Sequence, residues 1–515
     1  MDLKTAFRMS AQRASERIAV VDGKKRYTYK GWMNRVYELG NVLQRLGVTK
    51  GDRVLVGLKN REQSVLALMA LHVVGAIAVP YNPRSGGPTV DYYMRDSGAA
   101  GVFFEEATEA ALEEVLPKFP ECRFRISVDG KRECVFKGCP DFYDLEELLR
   151  GDEVNEPSAS VSAEDVGLLL YTSGTTGEPK GVPLTHEASI FRVLGLATNH
   201  GMVFDNDHRV IGVMPLYHTI GFHGSFLTAI LYDGTYYPVP DFNPGEVISL
   251  IEDEKISHVF GSPTHFHLLL EHPDFTPDRV ASVRDAFYAG APMAPEMVKK
   301  CAAMLTENFT HIYGNTETYD SGYYRRAGCK PRAARQGMWH TVRIVKPGGS
   351  AEDVVSPGTE GELIISLHSP EAFTGYWNKP RKTAEVCRDG WYFTGDAARY
   401  DANGDWFITG RIDDMIISGG ENIHPAEVEN ALLQHPDITD TAVIGVGDER
   451  WGQVVKAFVV VKNPNITIKE VDQFILKHAQ LDRWKRPKQY MIIDSIPRNA
   501  SGKVLRYLLR EKYSG

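Results

Sequence analysis

The segment Thr172-Ser-Gly-Thr-Thr-Gly-Glu-Pro-Lys180, followed by Gly181, leaves the apolar run Val166–Leu170 and is dense in groups that bind anions. Glycine lets the backbone come close to a ligand. Amide N–H groups, the hydroxyls of Thr172, Ser173, Thr175 and Thr176 and the Lys180 ammonium supply donors and positive charge. A loop so composed at the end of a strand suits a polyphosphate. It is not a Walker loop, because the stretch from Gly174 to Lys180 lacks the Gly-x4-Gly-Lys-Ser/Thr spacing. The plainer alternative is a solvated surface turn, which seldom joins glycines, hydroxyls and a lysine in one stretch.

Five further motifs follow in order: Tyr313-Gly-Asn-Thr-Glu317, Gly390-Trp-Tyr-Phe-Thr-Gly-Asp396, Gly410-Arg-Ile-Asp-Asp414, Gly419-Gly-Glu-Asn-Ile-His-Pro425 and Pro497-Arg-Asn-Ala-Ser-Gly-Lys503. With the loop, they resemble the adenylate-forming superfamily of acyl- and aryl-CoA ligases, peptide-synthetase adenylation domains and firefly-type luciferases, over essentially the whole chain. The resemblance implies a two-step reaction. A carboxylate attacks the α-phosphorus of ATP, giving an acyl-AMP and pyrophosphate; a thiol then displaces AMP.

For adenylation, the resemblance implies that Thr172, Ser173, Gly174, Thr175, Thr176, Gly177 and Lys180 hold the β- and γ-phosphates. Glu317 is the implied Mg²⁺ carboxylate, and Thr316, beside Gly314 in the same motif, approaches the α-phosphate. Tyr313 stacks on adenine next to the Gly290-Ala291-Pro292 turn. Asp396 accepts from the ribose hydroxyls, assisted by Arg411. Lys503 is the implied catalytic cation, bridging carboxylate and α-phosphate oxygens. Asp396 as a plain β-turn residue and 290–292 as an ordinary strand–helix turn stay open.

For thioester formation, the family's C-terminal domain swings about a hinge, here at Asp413, and coenzyme A enters. Gly420 has a backbone slim enough to line a pantetheine passage. Trp484, Arg486 and Lys488 suit the adenine and phosphates of CoA, and Arg84 the 3′-phosphate. Trp451 is either a tunnel wall or core, and 484–488 is either a CoA site or a solvated basic turn.

The acyl pocket is expected along Met214-Pro-Leu-Tyr-His218-Thr-Ile-Gly-Phe222, which looks most like the 4-chlorobenzoate–CoA ligase branch. His218 gates or lines its carboxylate end, with Thr219 and Ile220 beside it. Two departures stand out. Gly195 falls where that branch carries a phenylalanine, so a larger cavity is expected there, and Thr219-Ile220 replaces a pair of valines, with Ile220 returning part of that volume. No aspartate offers an ammonium counter-ion, which disfavours amino acids and leaves aryl, cyclic or medium-chain acids. The main reading is an ATP-dependent carboxylate–CoA ligase using ATP, Mg²⁺ and CoA. The runner-up is an adenylating enzyme that loads a carrier-protein phosphopantetheine. A luciferase-type oxygenase and a non-catalytic sensor are the more remote classes.

These residues need a scaffold. Alternating strands and helices from Arg53–Leu58 through Ala294–Leu305 predict an α/β fold of βα units with largely parallel sheets. Pro-Gly, Asn-Gly and Asp-Gly punctuation from about 340 to 412 predicts a small β subdomain within an N-terminal domain of 1–412. Residues 413–515 read as a mobile α+β C-terminal domain. The chain has 515 residues, 43% hydrophobic, with net charge −9, which suits a globular protein and argues against dedicated nucleic-acid binding. The longest apolar stretch, Val65–Pro80, is too short to cross a bilayer, and the N-terminal segment has no apolar signal core, so a cytoplasmic protein without a membrane partner is expected. The six cysteines form no C-x-x-C pair, and reduced thiols are expected. A homodimer stays open.

Overall fold

The computed structural model describes residues 1–130, 135–138, 141–150, 154–172, 178–204, 207–478, 481–498 and 504–513. By packing, the chain divides into two compact units.

The first unit comprises Met1–Thr172, Lys180–Thr341 and Leu367–Glu385. It holds two sheets. One runs in the order Phe142–Asp144, Phe124–Ser127, Gly101–Phe104, Arg53–Gly57, Ile77–Pro80, Val166–Thr172 and Lys180–Thr185. Every neighbouring pair in it is parallel except the last, where Thr172 lies opposite Lys180 in an antiparallel hairpin. The other has a parallel centre formed by Phe309–Asn315, Asp285–Tyr288, His258–Gly261, Arg209–Gly212, Thr235–Pro238 and Ile18–Asp22, with antiparallel pairs at both ends. Strands such as Ile77–Pro80 and His258–Gly261 are buried at every position, as expected of parallel strands covered on both faces. The chain turns from helix Glu62–Val73 into strand Ile77–Pro80 at Gly75, with φ +74°.

The second unit contains Val342–Ser366 and the chain from Val386 onward. Strands Val342–Val345, Gly361–Ser366, Trp391–Tyr400 and Trp406–Arg411 pair antiparallel. A further sheet orders Glu421–Ile423, Ile416–Ser418, Gly452–Val461 and Ile438–Asp448, and Gln489–Ile492 adds in parallel to Gly452–Val461. Val428, Leu432, Val443, Val455, Val471 and Ile475 form a core under it. The strands of Val342–Ser366 group with the C-terminal elements, whereas Leu367–Glu385 groups with the first unit.

Candidate active site

The parallel strands of the second sheet in the first unit deliver loops at their carboxyl ends, where open α/β sheets bind ligands. Strand Phe309–Asn315 carries Tyr313 and then reverses sharply. The Asn315 Oδ1 accepts from the Thr318 N–H at 2.8 Å and from its hydroxyl at 2.9 Å. A Cβ on Gly314 would stand 1.8 Å from the Tyr319 carbonyl oxygen, so only glycine fits. Tyr319 takes φ +58°, a conformation uncommon for a bulky residue.

This reversal presents Thr316 and Glu317. Glu317 is 6% exposed, and its Oε1 accepts from the Tyr376 hydroxyl at 2.6 Å. The same hydroxyl accepts from Lys180 Nζ at 3.3 Å, and the ammonium lies 4.5 Å from the Tyr376 ring centroid. Tyr376 therefore joins Lys180 to the carboxylate of a distant motif. Sequence reasoning missed it; its place in Phe373-Thr-Gly-Tyr376 carries no obvious catalytic signal. A buried carboxylate with a cation nearby fits the Mg²⁺ mode in which one or two carboxylates act with substrate phosphates. Among the described residues no group of three or more His, Cys, Asp or Glu is placed to hold a metal alone, so phosphate and water oxygens would complete the shell.

Thr172 ends its strand with its hydroxyl 3.4 Å from the Lys180 carbonyl. Ser173, Gly174, Thr175, Thr176, Gly177 and Lys503 lie outside the described residues, as do Cys134 and Cys139. Gly290 has φ +86° and is exposed with Ala291 and Pro292 after strand Asp285–Tyr288, adjacent in the sheet to the strand bearing Tyr313.

The Met214–Phe222 segment follows strand Arg209–Gly212 and is braced by buried Asn60. Its amide donates to the Gly212 and Met214 carbonyls at 2.8 and 2.9 Å and its oxygen accepts from the Leu216 N–H at 3.0 Å. His218 and Thr219 lead into a π-helical segment, Ile220–Leu227, a local widening often found at functional sites. Burial pushes the His218 imidazole down to about 4, and its Nε2 has no hydrogen-bond partner. It is therefore a neutral ring at pH 7.

Arg192, fully buried in helix His186–His200, was not singled out by sequence. Its guanidinium donates to the Thr219 hydroxyl at 3.1 Å, the Thr316 carbonyl at 2.9 Å and the Glu371 carbonyl at 2.8 and 3.0 Å. An arginine inside the otherwise apolar Ile190–Ala197 stretch was the available signal. Gly195, one turn on, corrects an expectation. A Cβ there would meet Glu371 Oε1 at 2.1 Å and Trp339 Cδ1 at 2.8 Å. The space freed by the absent aromatic ring is filled by these side chains, not left as cavity.

In the second unit, Asp396 and Arg411 are cross-strand partners. The guanidinium donates to Asp396 Oδ1 and to the Thr394 carbonyl, both at 2.8 Å. Asp413 is exposed in the short turn Ile412–Asp414. Gly420 has φ +87° and open space where a Cβ would be. Trp451 is 45% exposed and covers Gly419, so it is not core. Trp484 is exposed, Arg486 sits 3.4 Å from Asp472, and Lys485 is held by Glu427 at 2.6 Å. Lys488 is exposed. In the first unit, Arg84 is exposed and 3.5 Å from Asp241.

A family model for AMP-binding enzymes matches residues 7–377, and one for the AMP-binding enzyme C-terminal domain matches residues 427–503. The chain belongs to the AMP-binding enzyme family. This AMP-binding enzyme is 35% identical over 515 residues to the 4-chlorobenzoate–CoA ligase of Arthrobacter sp, covering 99% of this chain and 95% of that one. It is 34% identical over 498 residues to the feruloyl-CoA synthase of Amycolatopsis sp, covering 96% of each. Its fold superposes on ATP-bound MatB from Rhodopseudomonas palustris with TM-score 0.87 at 26% identity, over 100% of this chain and 99% of that one. It also superposes on the Bacillus subtilis o-succinylbenzoate CoA synthetase MenE in complex with its acyl-adenylate, OSB-AMP, with TM-score 0.85 at 25% identity, over 99% and 98% of the two chains. The AMP-binding enzyme is an acid–thiol ligase whose substrates are ATP, a carboxylic acid and CoA. No helix among its described residues is long and apolar enough to cross a membrane.

Proposed function

We propose that the acid is an aryl, cyclic or medium-chain carboxylic acid held along His218, Thr219 and Ile220. We further propose that its carboxylate reacts beside Thr316 and Glu317. The observation that carries this reading is Arg192, one guanidinium bonded both to the Thr219 hydroxyl and to the Thr316 carbonyl. It couples the acid segment to the nucleotide motif within one buried network. The 4-chlorobenzoate and feruloyl names of two relatives support an aryl acid.

In this reading the carboxylate oxygen attacks the α-phosphorus and pyrophosphate leaves. Thr172, Lys180 and the 173–177 loop hold the outgoing phosphates. Thr316 and Gly314 flank the α-phosphate, and Tyr313 with Gly290, Ala291 and Pro292 contacts adenine. Glu317, oriented by Tyr376, would hold Mg²⁺, which would supply neutralisation of phosphate charge. Asp396 and Arg411 take the ribose, and Lys503 meets charge developing at the α-phosphate. The CoA thiolate then attacks the acyl carbonyl and AMP leaves, with Gly420 and Trp451 along the pantetheine and Arg84, Trp484, Arg486 and Lys488 at the nucleotide end. Residues 413–515 turn about Asp413 between the steps. The reaction belongs in the cytoplasm, where ATP and CoA are supplied. A homodimer is testable by light scattering.

The test is a panel of carboxylic acids assayed for ATP–pyrophosphate exchange and for CoA-dependent AMP release. Release of acyl-CoA with free CoA separates this reading from carrier-protein loading. Lys503→Ala should lower acyl-AMP formation about 10²–10³-fold. It should still convert supplied acyl-AMP and CoA to thioester; loss of both steps would reject domain alternation.

A further inference from the structure

Three loops in the first unit bring Lys59, Arg84 and Asp241 together. Lys59 follows strand Arg53–Gly57, Arg84 follows Ile77–Pro80 and Asp241 follows Thr235–Pro238, so both sheets contribute. The carboxyl ends of such strands are where open α/β sheets bind ligands. Asp241 Oδ2 accepts from the Lys59 ammonium at 2.7 Å, and its Oδ1 accepts from the Arg84 guanidinium at 3.5 Å. All three side chains are open to solvent: Lys59 is 28% exposed, Asp241 55% and Arg84 79%. The adenylation step uses none of them.

The cluster is built onto the segment that carries His218. Lys59 precedes Asn60, whose side chain braces Gly212, Met214 and Leu216. The Lys59 N–H donates to enclosed Glu105 at 3.2 Å and its carbonyl accepts from the Ser64 hydroxyl, which fixes the backbone beneath the ammonium. Arg61 lies 3.6 Å from Glu105 and 2.7 Å from Asp129, so these nearby acids have a cation of their own. Arg84 stands in a turn closed by Asn82, whose Oδ1 accepts from the Arg84 N–H at 2.9 Å. Burial pushes the Tyr217 hydroxyl up and the Arg84 charge opposes it, and the Tyr217 ring packs edge-on to His218 with centroids 4.7 Å apart. On the other side Phe242 packs against His265 at 4.5 Å, and Asn243 caps helix Pro244–Glu254.

A single exposed ion pair contributes little. Here one carboxylate spans two cations, and a phosphate monoester suits that pair better. It carries about 1.5–2 negative charges and three acceptor oxygens, enough to engage the ammonium and the guanidinium fork together. Resting on the proposed placement of Arg84 at the nucleotide end of CoA, we infer that Lys59 completes with Arg84 the seat of the CoA 3′-phosphate, and that the Asp241 carboxylate holds this seat until CoA displaces it. Asp241 gathers two flexible side chains and so lowers the entropy lost on binding, while its charge opposes the phosphate. Lys59 and Asp241 are then determinants of the preference for CoA over a thiol lacking the 3′-phosphate.

The test is the KM for CoA and for dephospho-CoA, read as thiol-dependent AMP release by the full-length enzyme with an acid that the panel identifies. Lys59→Ala should raise the KM for CoA about 3–10-fold and that for dephospho-CoA by less than about twofold, while Lys59→Arg should keep most of the preference for CoA. Asp241→Asn keeps an acceptor without the charge and should act in the opposite direction, lowering the KM for CoA about 2–5-fold. Loss of folding could not produce that gain. Equal KM values for the two thiols in the wild type would overturn the inference, as would a Lys59→Ala shift shared equally by both. A KM for CoA that Asp241→Asn leaves unchanged or raises would also overturn it. If Arg84→Ala still reduces the preference for CoA in those cases, the placement of Arg84 stands while this inference falls. A rise in the KM for ATP in place of that for CoA would assign the cations to the nucleotide and overturn it likewise. No AMP release with any acid would strike the ligase reading itself, and this inference with it.

Discussion

The wall around Gly195 and the basic turn at 484–488 handle polar groups in opposite ways. The first is dry: Glu371 and Tyr319 are buried with side-chain atoms unpartnered, the Nε1 of half-buried Trp339 is enclosed, and Arg192 is fully buried. The second is wet: Trp484 and Lys488 are exposed, and Lys485 and Arg486 face Glu427 and Asp472. A desolvated site discriminates through the cost of leaving a group unpaired, an effect insensitive to salt. An exposed cation contributes a screened attraction worth little by itself. Selectivity for the acid should therefore reside in the first region, and the second should tune affinity for an anionic co-substrate.

The strongest way to break the dry side is Glu317→Gln. The amide can still accept from Tyr376 but removes the charge, so adenylation should fall about 10²–10³-fold, with partial relief at high Mg²⁺. Magnesium titrations of exchange activity check this; full activity with unchanged magnesium dependence would remove Glu317 from the metal site. Next in size, Gly195→Ala places a Cβ 2.1 Å from Glu371 Oε1 and should cost about 1–3 kcal/mol of stability while altering the order of preferred acids. Denaturant melts read the first effect and the acid panel the second.

Burial also makes the first unit acid-sensitive. His186, His218 and His265 are pushed down to about 4, and His72, His223 and His258 well below their ordinary value. The unfolded chain takes up protons near pH 6.5 that these rings refuse when folded, so stability is full above that pH and falls toward pH 4. Each ring should contribute a slope of up to about 1.4 kcal/mol per pH unit. In the second unit, by contrast, His424 pairs with Glu360 at 2.7 Å. Melting followed by hydrogen exchange from pH 7 to 4.5 should show the first unit loosening first; simultaneous loss would remove the distinction. The smallest effect belongs to Lys488→Ala, which should raise KM for CoA about two- to fivefold at low salt and leave it nearly unchanged at high salt. A salt-independent increase would mean that Lys488 is as desolvated as the wall around Gly195.

Much of this was legible before the structure. The alternation of strands and helices read from Arg53–Leu58 through Ala294–Leu305 is present, with strands such as Arg53–Gly57 and His258–Gly261 and helices such as Glu62–Val73 and Pro244–Glu254. Those signals are local, and so are the glycines: Gly75 and Gly314 announce a positive φ and a close backbone approach. The membership of the β strands from Val342 was not legible, because packing against one unit or another depends on contacts distant in sequence.

The sequence by itself determined the reaction class, because six motifs from Thr172 to Lys503, taken in order, carry the resemblance to adenylate-forming enzymes. It also determined the order of strands and helices, because hydrophobic periodicity is written along the chain. Only the tertiary structure decided that Tyr376 lies between Lys180 and Glu317, and that Arg192 spans Thr219 and Thr316. The same holds for the space beside Gly195, where the sequence showed only a missing ring and the fold put Glu371 and Trp339 in its place. Such pairings join residues far apart in the chain, and a side chain's partner is fixed by which surfaces burial forces together, information that no local spacing contains.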